Sequence, residues 1–546
     1  MRRKHSASNY LFSEVPRIKV PRSVFPREST HSTTLNPDYL IPVYCDEFYP
    51  GDTLKLSASA LCRLNSAPVV PIMDDIFLSL EFFAVPMRLL WNHWVNFNGE
   101  RELIDENPDY TIPQIVAPTG GFAFESLADY LGIRPGVSNL SVSSLPFRCY
   151  NKIYNYWYRD ENLINPISDN MADTGDTVDM YPLRKRAKVH DYFTSALPSP
   201  QKGPAATVPI TGNAPVKVFG NGKAISFTTG DRFGGLFMNN ARGLDANYDA
   251  INTSVGTSLS NHSSTFADYK SVGLITNPDE SGIVGIAELG NLAAVTVNSL
   301  RDLFAVQRVR EKDARGGTRY PEMILTHFGV ESPDARQQRP ELLYSTSSRL
   351  FVNPVVQNSA TQTGSTPQGN LSAYVVGTLS NKGFSKSFTE HTYVMGLASI
   401  RTSNKYQQGI PRIFSRRTRF DFYLPAFSHL GEQAILNKEI FAQGTAVDDE
   451  VFGYQERWSE LRYKNSLITG KLRSDYAQSL DVWHLAQDFS SLPVLNQNFI
   501  ESNVPIKRVT SVDPEQESAF IMDIAFRELD ARPMPLNSVP GLIDHY

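Results

Sequence analysis

Few residues of this chain stand at spacings that could support catalysis. In "FGNGKAIS" the pair Gly222-Lys223 invites comparison with a phosphate-binding loop. Ala224, however, stands where that loop requires Ser or Thr, and Lys217 where it requires Gly. "DARGGTRY" places Gly316-Gly317 after a helical stretch, whereas phosphate loops precede a helix. Ten histidines are scattered without an HExxH, and Cys45, Cys62 and Cys149 form no CxxC pair. The triplet "DDE" at 448–450 has the charge to hold a cation and equally the character of a solvated turn. The pattern calls for no enzyme, no cofactor and no metal site. The three thiols are expected to be buried and reduced.

Chemistry of another kind is dense in the second half. "QRVREKDARGGTRYPE" sets Arg308, Arg310, Arg315 and Arg319 among acids. "FGYQERWSELRYKNSLITGKLRS" interleaves Tyr454, Trp458 and Tyr463 with Arg457, Arg462, Lys464, Lys471 and Arg473. Such text suits solvated helix faces with intrachain ion pairs. It also suits contact surfaces, because aromatics and Arg are enriched at protein interfaces and stack on single-stranded nucleic acid. Arg308, Arg310, Arg315, Arg319, Arg457, Trp458 and Arg462 are expected to be a mixture of subunit-interface and fold-supporting residues.

A third feature is the segment "VPRIKVPRSVFPRE" at 15–28, where an apolar residue, a proline and an arginine recur every five positions. Arg2, Arg3, Lys4, Arg17, Arg22 and Arg27 make this end basic, and all six are candidate nucleic-acid contacts. Proline favours an extended chain. Successive arginines then lie roughly 16 Å apart and point to different sides, by about 120° in a polyproline helix or to opposite faces of a strand. Residues 15–28 therefore suit lying in a crevice, as a clamp between subunits would, with "RRKH" at 2–5 as the freer electrostatic contact. Residues 1–36 as a whole read as a basic extended arm.

The elements that must position these residues are mostly strands. The chain has 546 residues, 41% hydrophobic and only 20% charged, with net charge −5, 34 Gly and 35 Pro. That mix suits a loop-rich β protein and excludes a wholly basic nucleic-acid binder. In "TLKLSASALCRL" Leu54, Leu56, Ala58, Ala60, Cys62 and Leu64 alternate with mostly polar residues, and "DIFLSLEFFAVP" repeats the period from Ile76 to Ala84. Helices interrupt. Phe147, Tyr150, Tyr154 and Trp157 share one helical face, and a second helix opens on a Ser299/Asp302 capping box and stops at Gly316-Gly317. The charge-poor stretches 203–298 and 355–383 read as surface insertions of short strands and turns. No run is long enough to cross a membrane, and "MRRKHSASNY" lacks the apolar centre of a signal peptide, so folding in a cytoplasm is expected.

At this point the sequence resembles a known family, the major capsid proteins of the microviruses, small icosahedral single-stranded-DNA phages, and within them the gokushovirus branch. The resemblance rests on "LIPVYCDEFYPGDTLKL" (40–56), "FFAVPMRLLWNHWVNFNGE" (82–100) and "HDYFTSALPSPQKG" (190–203). It continues in "EKDARGGTRYPEMILTHFGVESPDARQQRPE" (311–341), "FGYQERWSELRYK" (452–464), "SLDVWHLAQDF" (479–489) and "MPLNSVPGLIDHY" (534–546). About three quarters of the chain is covered. Residues 203–298 match the family in position only, and "LLYSTSS" (342–348) replaces an expected Tyr-Leu-Gly-Gly-like turn.

The resemblance implies a mainly β fold: an eight-stranded antiparallel jelly roll over 37–546, with long loop insertions containing several helices. It implies sixty copies closing a T=1 shell around circular single-stranded DNA, part of a virion assembled in the bacterial cytoplasm. The implied partners are further copies of the chain, the packaged DNA, the scaffolding, DNA-packaging and pilot proteins of the same phage, and a host surface receptor such as a carbohydrate. Insertion 203–298 is then the surface protrusion suited to attachment. Two other classes fit less of the text. A glycan-binding β-sandwich would share the aromatic, Gly-rich composition and leave the basic arm unexplained. A fibre would show internal repeats.

Overall fold

The computed structural model describes residues 21–101, 109–204, 297–358, 368–380, 383–511, 513 and 517–537, with the backbone of short strands between 216 and 287. Nine strands carry the architecture: β1 (Ser23–Leu35), β2 (Ile41–Phe48), β3 (Thr53–Leu64), β4 (Ile76–Pro86), β5 (Glu341–Val356), β6 (Leu371–Ser380), β7 (Phe384–Ser387), β8 (Thr392–Thr402) and β9 (Phe520–Arg532). All pairings are antiparallel, in the order β1-β9-β3-β6-β5-β4-β8-β2, with β7 on β3. This is a jelly roll of two four-stranded sheets, β1-β9-β3-β6 and β5-β4-β8-β2. Strand β5 belongs to both. Residues 341–350 pair with β4, and 351–356 pair with β6. The crossing is tight. A Cβ on Gly377 of β6 would stand 3.0 Å from the Leu350 Cα and nearer still to its side chain, so only glycine fits opposite the bend.

The alternation in β3 does what its period dictates. Leu54, Leu56, Ala58, Ala60, Cys62 and Leu64 are buried between the sheets. In β4, Ile76, Leu78, Leu80, Phe82 and Ala84 enter the same core, while Phe83 and Val85 on the opposite face enter a second one. The apolar residues on both sides of "EFFAVP" thus mark a strand covered on both faces. Helix α1 (Leu145–Ile153) supplies the cover. Pro146 fits its first turn, and the chain continues through a wider π turn at Tyr154–Tyr158. Phe147, Tyr150 and Tyr154 are buried against Phe83, Val85, Met395 and Leu397. Arg148, buried with them, is satisfied by Asp176 at 2.5 Å and by the carbonyls of Leu90 and Ala172.

The two long excursions from the barrel, 87–340 and 403–519, share a third apolar cluster. Tyr192 and Phe193 of the first pack with Ile435, Ile440, Phe452 and Phe499 of the second. Helix α2 (Val297–Arg315) and α3 (Tyr320–Phe328) close the first excursion. Helix α2 begins at Val297, two residues before the expected Ser299 cap. Residues 205–308 form a compact unit by themselves. In it 216–220 pairs with 283–287, and 236–240 lies between 250–251 and 269–273.

Three expectations change. Residues 371–380, expected in a surface insertion, are barrel strand β6, whose Ala373, Val375 and Leu379 are buried. "LLYSTSS", expected at a turn, lies within β5. Residues 23–35 of the arm form edge strand β1, where the missing N–H of Pro26 is tolerated; residues 1–20 lie outside the described residues. The central packing has a direct check. Phe82→Ala empties a fully buried site and is expected to cost about 3–5 kcal/mol in denaturant unfolding of the dissociated subunit. A cost under about 1 kcal/mol would refute the assigned core.

Candidate assembly surfaces and the ion cluster at the seam

Strands β1 and β2 are the two ends of the strand order, so the barrel closes there without a strand ladder. Side chains close it instead. The Arg27 guanidinium on β1 lies 2.6 Å from Asp46 on β2 and 3.0 Å from both Glu528 and Asp530 on β9. The Tyr44 hydroxyl donates to Glu528 at 3.0 Å, and His31 Nδ1 donates to the Val43 carbonyl at 2.8 Å. Arg532 reaches Asp530 at 3.1 Å and Asp52 at 3.7 Å. Burial opposes the charge on Arg27, but Asp46, Asp530 and Glu528 outweigh it and raise the pKa. Four acids face two arginines, so negative charge is in excess. Burial and the adjoining Asp530 push the Glu528 carboxyl up to about 8, against the pull of Arg27 and Tyr44. Asp530 is wholly buried and its Oδ1 lacks a hydrogen-bond donor among the described residues; a proton held on Glu528 can supply one.

The structure therefore puts Arg27 inside an acid cluster rather than on an open basic stripe. Arg22 is exposed at the start of β1 and donates to Thr53 Oγ1 at 2.7 Å and the Ala531 carbonyl at 3.0 Å. Arg2, Arg3, Lys4 and Arg17 lie outside the described residues.

The seven second-half residues separate by what they touch. Arg319 pairs with Glu161 and with Glu322 at 3.1 Å, and donates to the Asn155 carbonyl at 2.7 Å, which ties α3 to the turn after α1. Arg315 pairs with buried Glu432 and with Glu456 at 3.4 Å; Glu456 also pairs with half-exposed Arg462. Arg310 donates to the Pro204 carbonyl, and Arg308 is exposed. Trp458 is 5% exposed and holds a left-handed φ of 68°. Its ring meets the edge of Tyr423 at 5.6 Å, the Arg457 guanidinium lies 5.3 Å over it, and its Nε1 donates to the Phe427 carbonyl.

Trp458 is thus a pedestal for a segment that sequence reasoning passed over. In "RIFSRRTRFDFY" (412–423) Ile413, Phe414, Phe420, Phe422 and Tyr423 are exposed, Phe414 by 74% and Phe420 by 61%. Short turns shape its backbone. Asp421 caps Thr418 and Arg417, and Arg412 pairs with buried Glu439 at 2.7 Å. The signal was the same interleaving of Arg and aromatics seen at 452–473. A monomer gains nothing by leaving five large apolar side chains together in water.

The remaining candidate residues have structural roles. Asp448 of "DDE" accepts the N–H groups of Gln443 and Gly444, and Asp449 pairs with Lys438 at 2.5 Å. Among the described residues no cluster of ligand-type side chains suits a metal ion, and no helix is long and apolar enough to cross a membrane. All three cysteines are free thiols; Cys62 and Cys149 are buried, Cys45 partly so.

A jelly roll with braced insertions and exposed aromatics at 413–423 is an architecture that viral shell proteins use. Residues 13–542 match the model of the family described as capsid protein (F protein), and the chain belongs to that family. It is 44% identical to capsid protein VP1 of Bdellovibrio phage phiMH2K and 42% identical to capsid protein VP1 of Chlamydia phage 1, over 99% of both chains in each case. It is 35% identical to capsid protein VP1 of Spiroplasma virus 4, over 99% of this chain and 98% of the relative. The protein is a major capsid protein of the microvirus type, a structural component of the virus particle and not an enzyme. Membership implies assembly into a multi-copy shell.

The seam makes stability pH-dependent. The folded Glu528 carboxyl binds its proton up to about pH 8, whereas the unfolded one releases it near 4.5. Unfolding between those values releases a proton, so this group's stabilising contribution falls as pH rises from about 4.5 to about 8. Glu528→Gln is expected to flatten that decline in unfolding curves taken between pH 5 and 8. An unchanged slope would refute the assignment.

Proposed function

We propose that the chain builds a T=1 shell of sixty copies around circular single-stranded DNA, assembled in the bacterial cytoplasm. The observation that carries the reading is the exposed apolar segment 413–423 on its Trp458 pedestal. Permanent interfaces typically bury more than about 2,000 Å², and each buried Å² of apolar surface is worth roughly 25 cal/mol. Aromatics already held by local turns have less entropy to lose on association. Arg315 and Arg319 are spent on in-chain ion pairs, which leaves exposed Arg308 and half-exposed Arg462 as the candidates to meet a neighbour in this reading. The basic residues Arg2, Arg3 and Lys4 are the DNA contacts in this reading, with phosphate charge as the ligand.

The insertion 203–298 is the host-attachment element in the same reading, supported by its charge-poor, Gly/Ser/Asn-rich composition and by the compactness of 205–308 as a unit. Two experiments test the proposal. Phe420→Ala combined with Phe422→Ala is expected to leave a folded subunit that sediments as small species; normal shells would remove 413–423 from the interface. Deleting about 212–285 is expected to leave shells that assemble but adsorb poorly to host cells; normal adsorption would remove the attachment role.

A further inference from the structure

Beside the exposed aromatic segment lies an open groove of about 890 Å³. Its lining is mixed: Ile410, Phe414, Phe441 and Phe489 supply apolar surface among polar groups such as Gln408 and Ser490. Asp475 and Asp488 line it as well, with Arg473. The groove is preformed. Gly409 lies so close to the Glu439 carbonyl that a Cβ would stand 1.9 Å from it, so the wall is backbone packed on backbone. The Gln408 amide donates to Asp488 at 3.1 Å and to the Phe489 carbonyl at 2.9 Å, and accepts the Phe489 N–H at 2.8 Å. Arg473 donates to the Gln407 carbonyl at 2.7 Å. Partial burial and the negative charges of Asp475 and Asp481 hold the Asp488 carboxyl above its usual range, against the pull of Arg508. The groove favours a cationic guest and disfavours phosphate.

We propose that this groove receives the N-terminal arm of a neighbouring copy, around "VPRIKVPR" (15–22), with Val15, Ile18 and Val20 against the aromatic walls and Arg17 and Lys19 toward Asp475 and Asp488. The proposal rests on the assembly reading and names one contact within it. Charge is complementary: the arm to residue 22 carries Arg2, Arg3, Lys4, Arg17, Lys19 and Arg22 against the single acid Glu14. Size fits an extended segment, since the volume is at the upper end of the roughly 300–1,000 Å³ of binding pockets. Prolines 16 and 21 lower the entropy lost on ordering it.

The topology favours a guest from another copy. The chain enters β1 at Ser23, opposite Arg532, at the end of the barrel where Arg22 meets Thr53. The groove segments are anchored at the other end, where Asp74, just before β4, pairs with Lys405 at 3.1 Å and accepts the Leu485 N–H at 3.0 Å. The 13 residues of β1 separate the two ends by on the order of 40 Å. An arm at one end and its receptor at the other give a head-to-tail contact, the kind that closes into rings.

Charge reversal tests the pairing. Asp475→Arg with Asp488→Arg is expected to keep the subunit's melting temperature and lower the yield of shells at least tenfold. Adding Arg17→Glu and Lys19→Glu is expected to restore the yield. Normal assembly of the groove variant, or failure of the rescue, overturns the pairing. If the arm variant alone forms normal shells that lack DNA, the arm is a nucleic-acid contact and the proposal falls. Phe420→Ala with Phe422→Ala serves as the control for assembly itself: if that variant also assembles normally, the assembly surface was misassigned, whereas a defect confined to the charge variants isolates the groove. Direction is read by mixing Val20→Cys subunits with Phe414→Cys subunits before assembly. A disulfide-linked dimer supports the contact between copies. Its absence, with an internal bond in the doubly substituted chain, shows that the arm folds back on its own barrel and overturns the proposal.

Discussion

A barrel made by curling one run of strands has to join two free edges, and here the join is electrostatic. Exposed strand edges offer unpaired N–H and C=O groups to any passing strand. Strands β1 and β2 face each other across Arg27, Asp46, Glu528, Asp530 and Tyr44. Pairing matters more than attraction in such a place, because unpaired buried charge is costly. Excess acid is relieved by a proton on Glu528. The ladder with β9 sets the position of β1, and this one cluster ties that edge to β2.

The seam also explains what the sequence hides. Strand β1 looks like a loose basic arm because its inward positions include Arg27, His31 and Thr33 rather than a run of aliphatics. Its partners Glu528 and Asp530 lie some five hundred residues away, and no local pattern reveals such pairing. Strand β6 is hidden for a related reason. Its Gly377, Thr378 and Ser380 dilute the apolar alternation, and the glycine is there because β5 crosses over it. By contrast β3, β4 and α1 were legible, since half-buried strands and one-sided helices write their periods directly.

Candidate contact residues were legible by type but not by role. Arg315, Arg319 and Trp458 carry the chemistry of an interface and spend much of it inside the chain. The segment 413–423, which rests on Trp458, carries the same residue types with the opposite exposure. Composition records which side chains favour close contact. Whether that contact lies within a subunit or between subunits depends on packing among segments far apart in the chain, such as Trp458 beneath Tyr423.

The path of β5 has a mechanical side. In most sandwiches the two sheets are held face to face by side-chain packing, and a pull across them meets only that. Here one strand is shared, running from β4 through Leu350 to β6. A load that tries to part or slide the sheets passes into covalent backbone and two hydrogen-bond ladders in shear. Each wall element of the container therefore carries its own tie-bar, and neighbours need supply adhesion only.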